Sequence, residues 1–392
     1  MSGMTDRDLD IVLFGATGFT GGLTAEYLAR HAPANLRWAL AGRNKAKLEQ
    51  VRDRLAGIDP RLEVMELVVV DAGDQAALEL VVARAHAVIT TVGPYLQLGE
   101  PLVAACAAQG TDYVDLTGEP EFVDTMYVKH HATAEATGAR IVHSCGFDSI
   151  PHDLGALYTV KQLDASKPIT VRGVVRSNGT FSGGTFHSAL GAFARARQMR
   201  DAMVARRKAE PKPEGRRSRA VAGKPGRDRL LGYWLVPLPT IDPFVVARSG
   251  AALPAYGPDF RYSHFAGTKT LRYAAGGSLG AAGLAVAAQV KPVRELLGRK
   301  VPQGEGPSEQ RRRKSWFTVD FVGESGSRTV HTRVSGGDPG YTETSKMLAE
   351  SALCLVFDDN PSTAGMVTPA QAMGDRLIHR LEAAGIRFQT IS

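Results

Sequence analysis

From residue 9 to about residue 160, short apolar runs alternate with longer stretches whose apolar positions recur at helical spacing. The runs are Asp10–Gly15, Leu36–Gly42, Leu62–Val70, Ala87–Val92, Tyr113–Leu116 and Arg140–Cys145. They are apolar almost throughout rather than at every second position, which is the pattern of strands buried on both faces. The stretches Thr20–His31, Asn44–Ala56, Asp74–Arg84 and Gly99–Gln109 read as amphipathic helices between them. Strands and helices in strict alternation predict an α/β fold, a Rossmann-type doubly wound parallel sheet with right-handed crossovers.

The pattern changes after Lys167. Ile169–Ser177 alternates like a half-exposed strand, and Thr185–Met203 reads as a helix. Trp316–Gly323 and Thr329–Val334 alternate around a Glu-Ser-Gly-Ser-Arg turn, which predicts a hairpin. Helical spacing returns over Tyr341–Phe357 and Pro369–Ala384. The expected organisation is a dinucleotide-binding domain over residues 1–160 and 340–392. An antiparallel α+β substrate or catalytic domain is inserted at 165–338.

Charge changes this picture at one place. The chain carries 47 Lys and Arg against 40 Asp and Glu, a net +7. The stretch from Arg206 to Arg229 holds ten of the cations and three acids, so it alone accounts for that excess. The remainder is neutral, which argues against a nucleic-acid-binding surface. With Pro211, Pro213 and Pro225 and few apolar residues, 206–229 reads as a mobile loop. A second unusual stretch, Tyr273–Val290, runs for 18 residues without a charge and is rich in Ala and Gly. It reads as a buried or interfacial helix, with a membrane-surface or acyl-binding element and a true span left open.

The three cysteines, Cys106, Cys145 and Cys354, lie far apart in apolar surroundings and read as buried thiols. No metal-ligand spacing is visible, so no metal site is expected. The opening residues are polar and the first apolar run is short, which reads as a cytoplasmic protein without a leader.

The sharpest chemical signal is Gly15-Ala16-Thr17-Gly18-Phe19-Thr20-Gly21, placed after the first strand and opening the first helix. Gly15 permits the tight turn, Gly18 lets backbone approach a pyrophosphate, and Gly21 permits close helix–strand packing. The helix N-terminus offers free N–H groups to the phosphates, with the Thr17 and Thr20 hydroxyls beside them. The second strand ends in Gly42-Arg43-Asn44, without the acid that accepts the 2′-hydroxyl of NAD. Arg43 instead supplies a planar cation suited to a 2′-phosphate, so the expected cofactor is NADP(H). Asp71, after the third strand, stands near the adenine or is an ordinary helix cap. Thr91, Val92 and Gly93, after the fourth, face the nicotinamide half, and Tyr95 is a candidate proton donor or a packed aromatic. Asp148, Ser149 and His152 leave the sixth strand beside the nicotinamide and are candidates for orienting substrate or moving protons, or for capping the next helix. Ser182–His187 is a candidate anion or carbonyl site. His130 and His131 are adjacent and read as surface residues.

Together Gly15–Gly21, Ala41–Arg43, Thr91–Tyr95, Tyr113–Glu119 and Cys145–Gly155 resemble the saccharopine dehydrogenase-like oxidoreductases. Gly365–Ala370 is similar to the closing motif of their trans-acting enoyl reductase branch in actinobacteria. The resemblance is strong over 9–155 and 335–390 and loose between. It implies NADPH-dependent reduction of a carbon–carbon double bond on a polyketide or lipid intermediate, of the phthiocerol type, made by a separate synthase. Tyr95, Asp148 and His152 are then the catalytic candidates. An acyl carrier protein or synthase is the expected partner, docking on 206–229. A peripheral membrane contact through 206–229 and 273–290 is the further expectation. Two alternatives stay open: a saccharopine-type imine or amino-acid reductase, and an NADP(H)-binding lipid-surface protein without turnover.

Overall fold

The computed structural model describes residues 7–179, 190–191, 194–290, 292–293, 296 and 306–392. The run Leu-Asp-Ile-Val-Leu-Phe forms β1 (Leu9–Phe14), buried along its whole length. It pairs in parallel with β2 (Trp38–Gly42) and β4 (Ala85–Thr90). With β3 (Leu67–Val69), β5 (Asp112–Asp115), β6 (Arg140–Val142) and β14 (Gly365–Val367) it builds a seven-stranded sheet, order β3-β2-β1-β4-β5-β6-β14. Every pairing is parallel. The order reverses between β1 and β4, so the loops leaving these two strands diverge and open a crevice at their carboxyl ends.

Helices cover both faces. α1 (Phe19–His31) packs against α12 (Thr342–Phe357), where the Tyr27 hydroxyl donates to Glu350 at 2.7 Å. The strand expected over 62–70 divides. Asp59 accepts from the Arg61 N–H and starts a 3₁₀ turn at Pro60–Val64, leaving only β3 to pair with β2.

A second sheet runs β15-β13-β12-β7-β11-β10-β9, with β8 paired to β11. Its strands are β7 (Ile169–Ser177), β8 (Arg217–Ala220), β9 (Gly226–Arg227), β10 (Trp234–Pro237), β11 (Asp259–Thr268), β12 (Phe317–Ser325), β13 (Arg328–Gly336) and β15 (Arg387–Thr390). The expected hairpin is β12 and β13, longer than read. The sheet is mixed rather than antiparallel, because β11 runs parallel to β7 and to β8. The last strand, β15, joins this sheet rather than the first. α7 (Ile150–Val160) lies between the two halves and is buried all round except at Tyr158. Close approach to β12 is possible because residue 155 is glycine: a Cβ there would stand 2.3 Å from the Phe321 ring.

One expectation fails in this region, and another is narrowed. The 206–229 segment is not a mobile loop. Its start lies in α8 (Ala196–Ala209), and its later part supplies β8 and β9. Arg206, the first of its cations, is buried against Asp124, with Glu210 beside it. The uncharged 273–290 stretch is a helix, α10 (Leu271–Gln289), but it is not buried. Tyr273, Leu279 and Val286 are exposed, and Ala274 and Ala288 are among its few buried residues. No helix among the described residues is long and apolar enough to cross a membrane. The three cysteines are free and buried, as expected. The Ser182–His187 candidate and the start of the helix expected from Thr185 lie outside the described residues.

Candidate active site

The glycine turn sits at the crevice mouth. Gly15 has φ +88°, a conformation that glycine alone adopts without strain. A Cβ on Gly21 would lie 2.1 Å from the Gly15 carbonyl oxygen, so α1 packs on the turn only with glycine there. Gly18 is the N-cap of α1 and has no side-chain cap, which leaves the first-turn N–H groups for an anion. Thr17 and Gly18 are exposed, and Ala16 is buried beneath them. Arg43 is exposed directly after β2, and Asn44 caps α2 (Lys45–Ala56) by accepting from the Lys47 N–H at 3.0 Å. Asp71 closes a local turn through the Gly73 N–H at 2.8 Å. These residues fit a dinucleotide whose pyrophosphate rests on the α1 N-terminus and whose ribose reaches Arg43.

Three of the sequence candidates take structural posts. The Thr91 hydroxyl donates to the Gly15 carbonyl at 3.2 Å and holds the glycine turn to the end of β4. Phe19 packs edge-on against Tyr341, with ring centroids 5.0 Å apart. Tyr95 is buried. Its hydroxyl donates to the Thr90 carbonyl at 3.1 Å and accepts from the Leu116 N–H at 3.2 Å. Both valences are taken by backbone, and burial raises the phenol well above its ordinary range. This geometry opposes Tyr95 as the proton donor. His131 also departs from the surface reading: its Nδ1 accepts from the Met366 N–H at 3.0 Å and steadies β14.

The loop after β6 is anchored from below. Asp115, fully buried at the end of β5, accepts from the Tyr113 hydroxyl, the Thr117 N–H and the Ser144 N–H, and meets His143 Nδ1 at 2.7 Å. Ser144 adopts φ +62° within this frame. The Phe147 N–H donates to the Thr344 hydroxyl at 3.0 Å. Asp148 thereby projects over the ends of β5 and β6, half-buried, with Oδ2 3.3 Å from where a Cβ on Gly118 would stand. Burial first, and then the charge of Asp242, raise the Asp148 carboxyl to about 7. Behind it, His152 Nδ1 lies 3.0 Å from Asp242 Oδ1, and His264 Nε2 lies 3.6 Å from Asp242 Oδ2. Burial opposes ionisation of Asp242, but the two imidazoles hold its carboxyl well below the usual range. Burial pushes the His264 imidazole down to about 3. His152 is thus buried behind Asp148 rather than at the cleft. Ser149 is buried at the N-cap of α7 without making a side-chain cap bond.

A family model for the saccharopine dehydrogenase NADP-binding domain matches residues 11–142. A trans-acting enoyl reductase of Mycobacterium bovis BCG is 37% identical over 416 residues, covering 98% of each chain. A Mycobacterium tuberculosis protein provisionally given the same name is 40% identical over 418 residues, again 98% of each. The chain belongs to the trans-acting enoyl reductase family. It is an NADP(H)-dependent oxidoreductase of the saccharopine dehydrogenase-like group. The fold agrees: saccharopine dehydrogenase from Saccharomyces cerevisiae superposes with TM-score 0.57 at 13% identity, covering 98% of this chain and 100% of that one.

Within this enoyl reductase family member, sequence reasoning missed Asp242, His264 and Arg312. Asp242 opens α9 (Asp242–Ala252) and His264 lies mid-strand in β11. Neither stands in a local motif, so only the fold brings them to His152. Arg312, in α11 (Glu309–Arg313), stacks its guanidinium over the Phe19 ring, 5.5 Å from the centroid, and so stands beside the phosphate turn. The signal for it was the run Arg311-Arg312-Arg313-Lys314. The stretch Gly365–Ala370 is structural here: the Ala370 N–H donates to Asp153 at 2.8 Å, and the Thr368 hydroxyl meets Ser249 at 2.6 Å.

Proposed function

We propose that the protein reduces the carbon–carbon double bond of an α,β-unsaturated acyl thioester made by a separate synthase, with Asp148 placing the α-carbon proton. Bound NADPH supplies the hydride, which goes to the carbon β to the thioester carbonyl. Gly15, Gly18 and the α1 N-terminus hold the pyrophosphate, and Arg43 selects the 2′-phosphate. Thr91 and the Asp115 frame fix the two loops that flank the nicotinamide. Asp148 stands at the open side of that gap, and its carboxyl carries or orients the proton delivered to the α carbon. The position of Asp148, anchored at its base and half-exposed to the cleft, supports this reading above any other feature.

The partner side of the proposal rests on α8. Arg197, Arg200 and Lys208 share one exposed face of this helix, and Arg207 is exposed beside them. We assign this cationic face to an acidic carrier that presents the acyl chain. The exposed apolar side of α10, with Lys269 and Arg272 at its start, is assigned to contact with an anionic lipid surface.

The experiment is NADPH oxidation followed by absorbance, with an enoyl thioester offered free and on an acyl carrier. Turnover of the enoyl thioester with a lower KM for the carrier-bound form is expected. Asp148→Asn should lower kcat by about 10²–10⁴-fold while the Kd for NADPH stays put. Oxidation of NADPH with an oxo acid and an amine, but not with the enoyl thioester, would establish the imine-reductase alternative and end this proposal.

A further inference from the structure

His152, Asp242 and His264 come from three elements that have no common origin in the chain: α7, the first turn of α9, and the middle of β11. Among the described residues they form a group whose ligand atoms all lie within 4.8 Å of one another. All three are buried, at 1%, 2% and 4% exposure.

Hydrogen bonding does not account for the arrangement. Both ring nitrogens of His152 and Oδ1 of Asp242 are buried without a hydrogen-bond partner. Yet His152 Nδ1 and Asp242 Oδ1 stand 3.0 Å apart. The contact is close but not aligned as a hydrogen bond. A close pair of buried polar atoms outside hydrogen-bond alignment is what a missing water or ion leaves behind. The spacing fits an ion. Nitrogen and oxygen ligands bound to Zn²⁺ at about 2.0–2.1 Å in a tetrahedron sit about 3.3 Å from each other. The observed separations, 3.0 Å from His152 Nδ1 to Oδ1 and 3.6 Å from His264 Nε2 to Oδ2, lie on either side of that value, with each imidazole meeting a different oxygen of the carboxylate.

The outer contacts point the same way. The Tyr262 hydroxyl lies 3.2 Å from His264 Nδ1, which occupies that nitrogen and turns Nε2 toward Asp242. A hydrogen bond on the far nitrogen is how proteins orient a ligating imidazole. The Phe147 ring stands edge-on to His152 at 5.3 Å, and the two imidazoles meet edge to face at 4.9 Å, so aromatic rings flank the group.

We propose that His152, Asp242 and His264 bind one divalent cation of the zinc type, which ties the Rossmann half to the second sheet directly behind Asp148. Two imidazoles and one carboxylate are a borderline-soft donor set that suits zinc or cobalt rather than calcium or magnesium. Three protein ligands leave one position for water. The site does not depend on which acyl substrate the enzyme takes.

The test uses the full-length protein, purified without chelator and without a histidine tag, and shown to bind NADPH. Elemental analysis is expected to find about one zinc per chain, and Co²⁺ added to metal-stripped protein should give the intense visible bands of a tetrahedral site. His264→Gln and Asp242→Asn are each expected to remove those bands. Zn²⁺ should raise the Tm of stripped wild-type protein and leave the Tm of His264→Gln unchanged. Should a variant fail to fold, the wild-type cobalt spectrum and Tm shift still decide the matter. Wild-type protein that binds NADPH but contains no metal, shows no cobalt bands and gains no Tm from Zn²⁺ overturns the proposal, and leaves ordered water as the occupant.

Discussion

Single atoms decide the cofactor turn. At Gly21 a methyl group would fall 2.1 Å from a backbone oxygen, and backbone cannot swing aside as the end of a flexible side chain can. Gly21→Ala is therefore expected to push α1 off the turn and to weaken NADPH binding by at least about tenfold, which is 1.4 kcal/mol. Fluorescence titration of NADPH measures this directly, and an unchanged Kd would show that the turn relaxes around the methyl. The glycine turn was legible in the sequence because all its parts are consecutive. Tyr95 was not, because its hydroxyl is consumed by Thr90 and Leu116 through loops that periodicity does not show. Asp242 and His264 were invisible for the same reason at longer range: their meaning arises only where α9 and β11 meet α7.

Elements, rather than residues, carry the surprises in charge and hydrophobicity. Net charge counted along 206–229 suggested a solvated loop, yet Arg206 holds α8 to α6 (Pro120–Thr137) through Asp124. Removing one partner of a buried pair strands the other charge, a loss of about 3–5 kcal/mol. Arg206→Ala should lower the denaturant midpoint accordingly, whereas Arg207→Ala, on the exposed side, should stay within about 0.5 kcal/mol of wild type. Equal effects of the two would show that the burial of Arg206 is unimportant. α10 is the opposite case: composition suggested burial, but burial depends on neighbours that composition does not name. Leu279→Glu with Val286→Glu is expected to leave Tm and NADPH affinity unchanged and to abolish sedimentation with anionic vesicles. Wild-type protein that stays in the supernatant would remove the lipid assignment.

At the scale of the molecule, six strands of the doubly wound sheet were readable because they are apolar almost throughout and alternate with helices along the chain, whereas β14, three residues long and reached only after the second sheet's hairpin, was not. The second sheet was only partly readable. Its hairpin is local, but β7 pairs with β11 across a long intervening stretch, and β15 arrives from the far end of the chain. The polypeptide leaves the first sheet after β6, returns to it at β14, and leaves again for β15. Each half therefore draws its strands from chain segments that lie on both sides of strands belonging to the other. Scanning calorimetry should record a single endotherm whose van't Hoff and calorimetric enthalpies agree. Two separable peaks would mean that the halves melt as strangers. A protein stitched in this way cannot be divided by one cut into two working fragments. Any gene fusion or split-enzyme scheme built on it must leave both the 142–169 and the 336–390 passages whole.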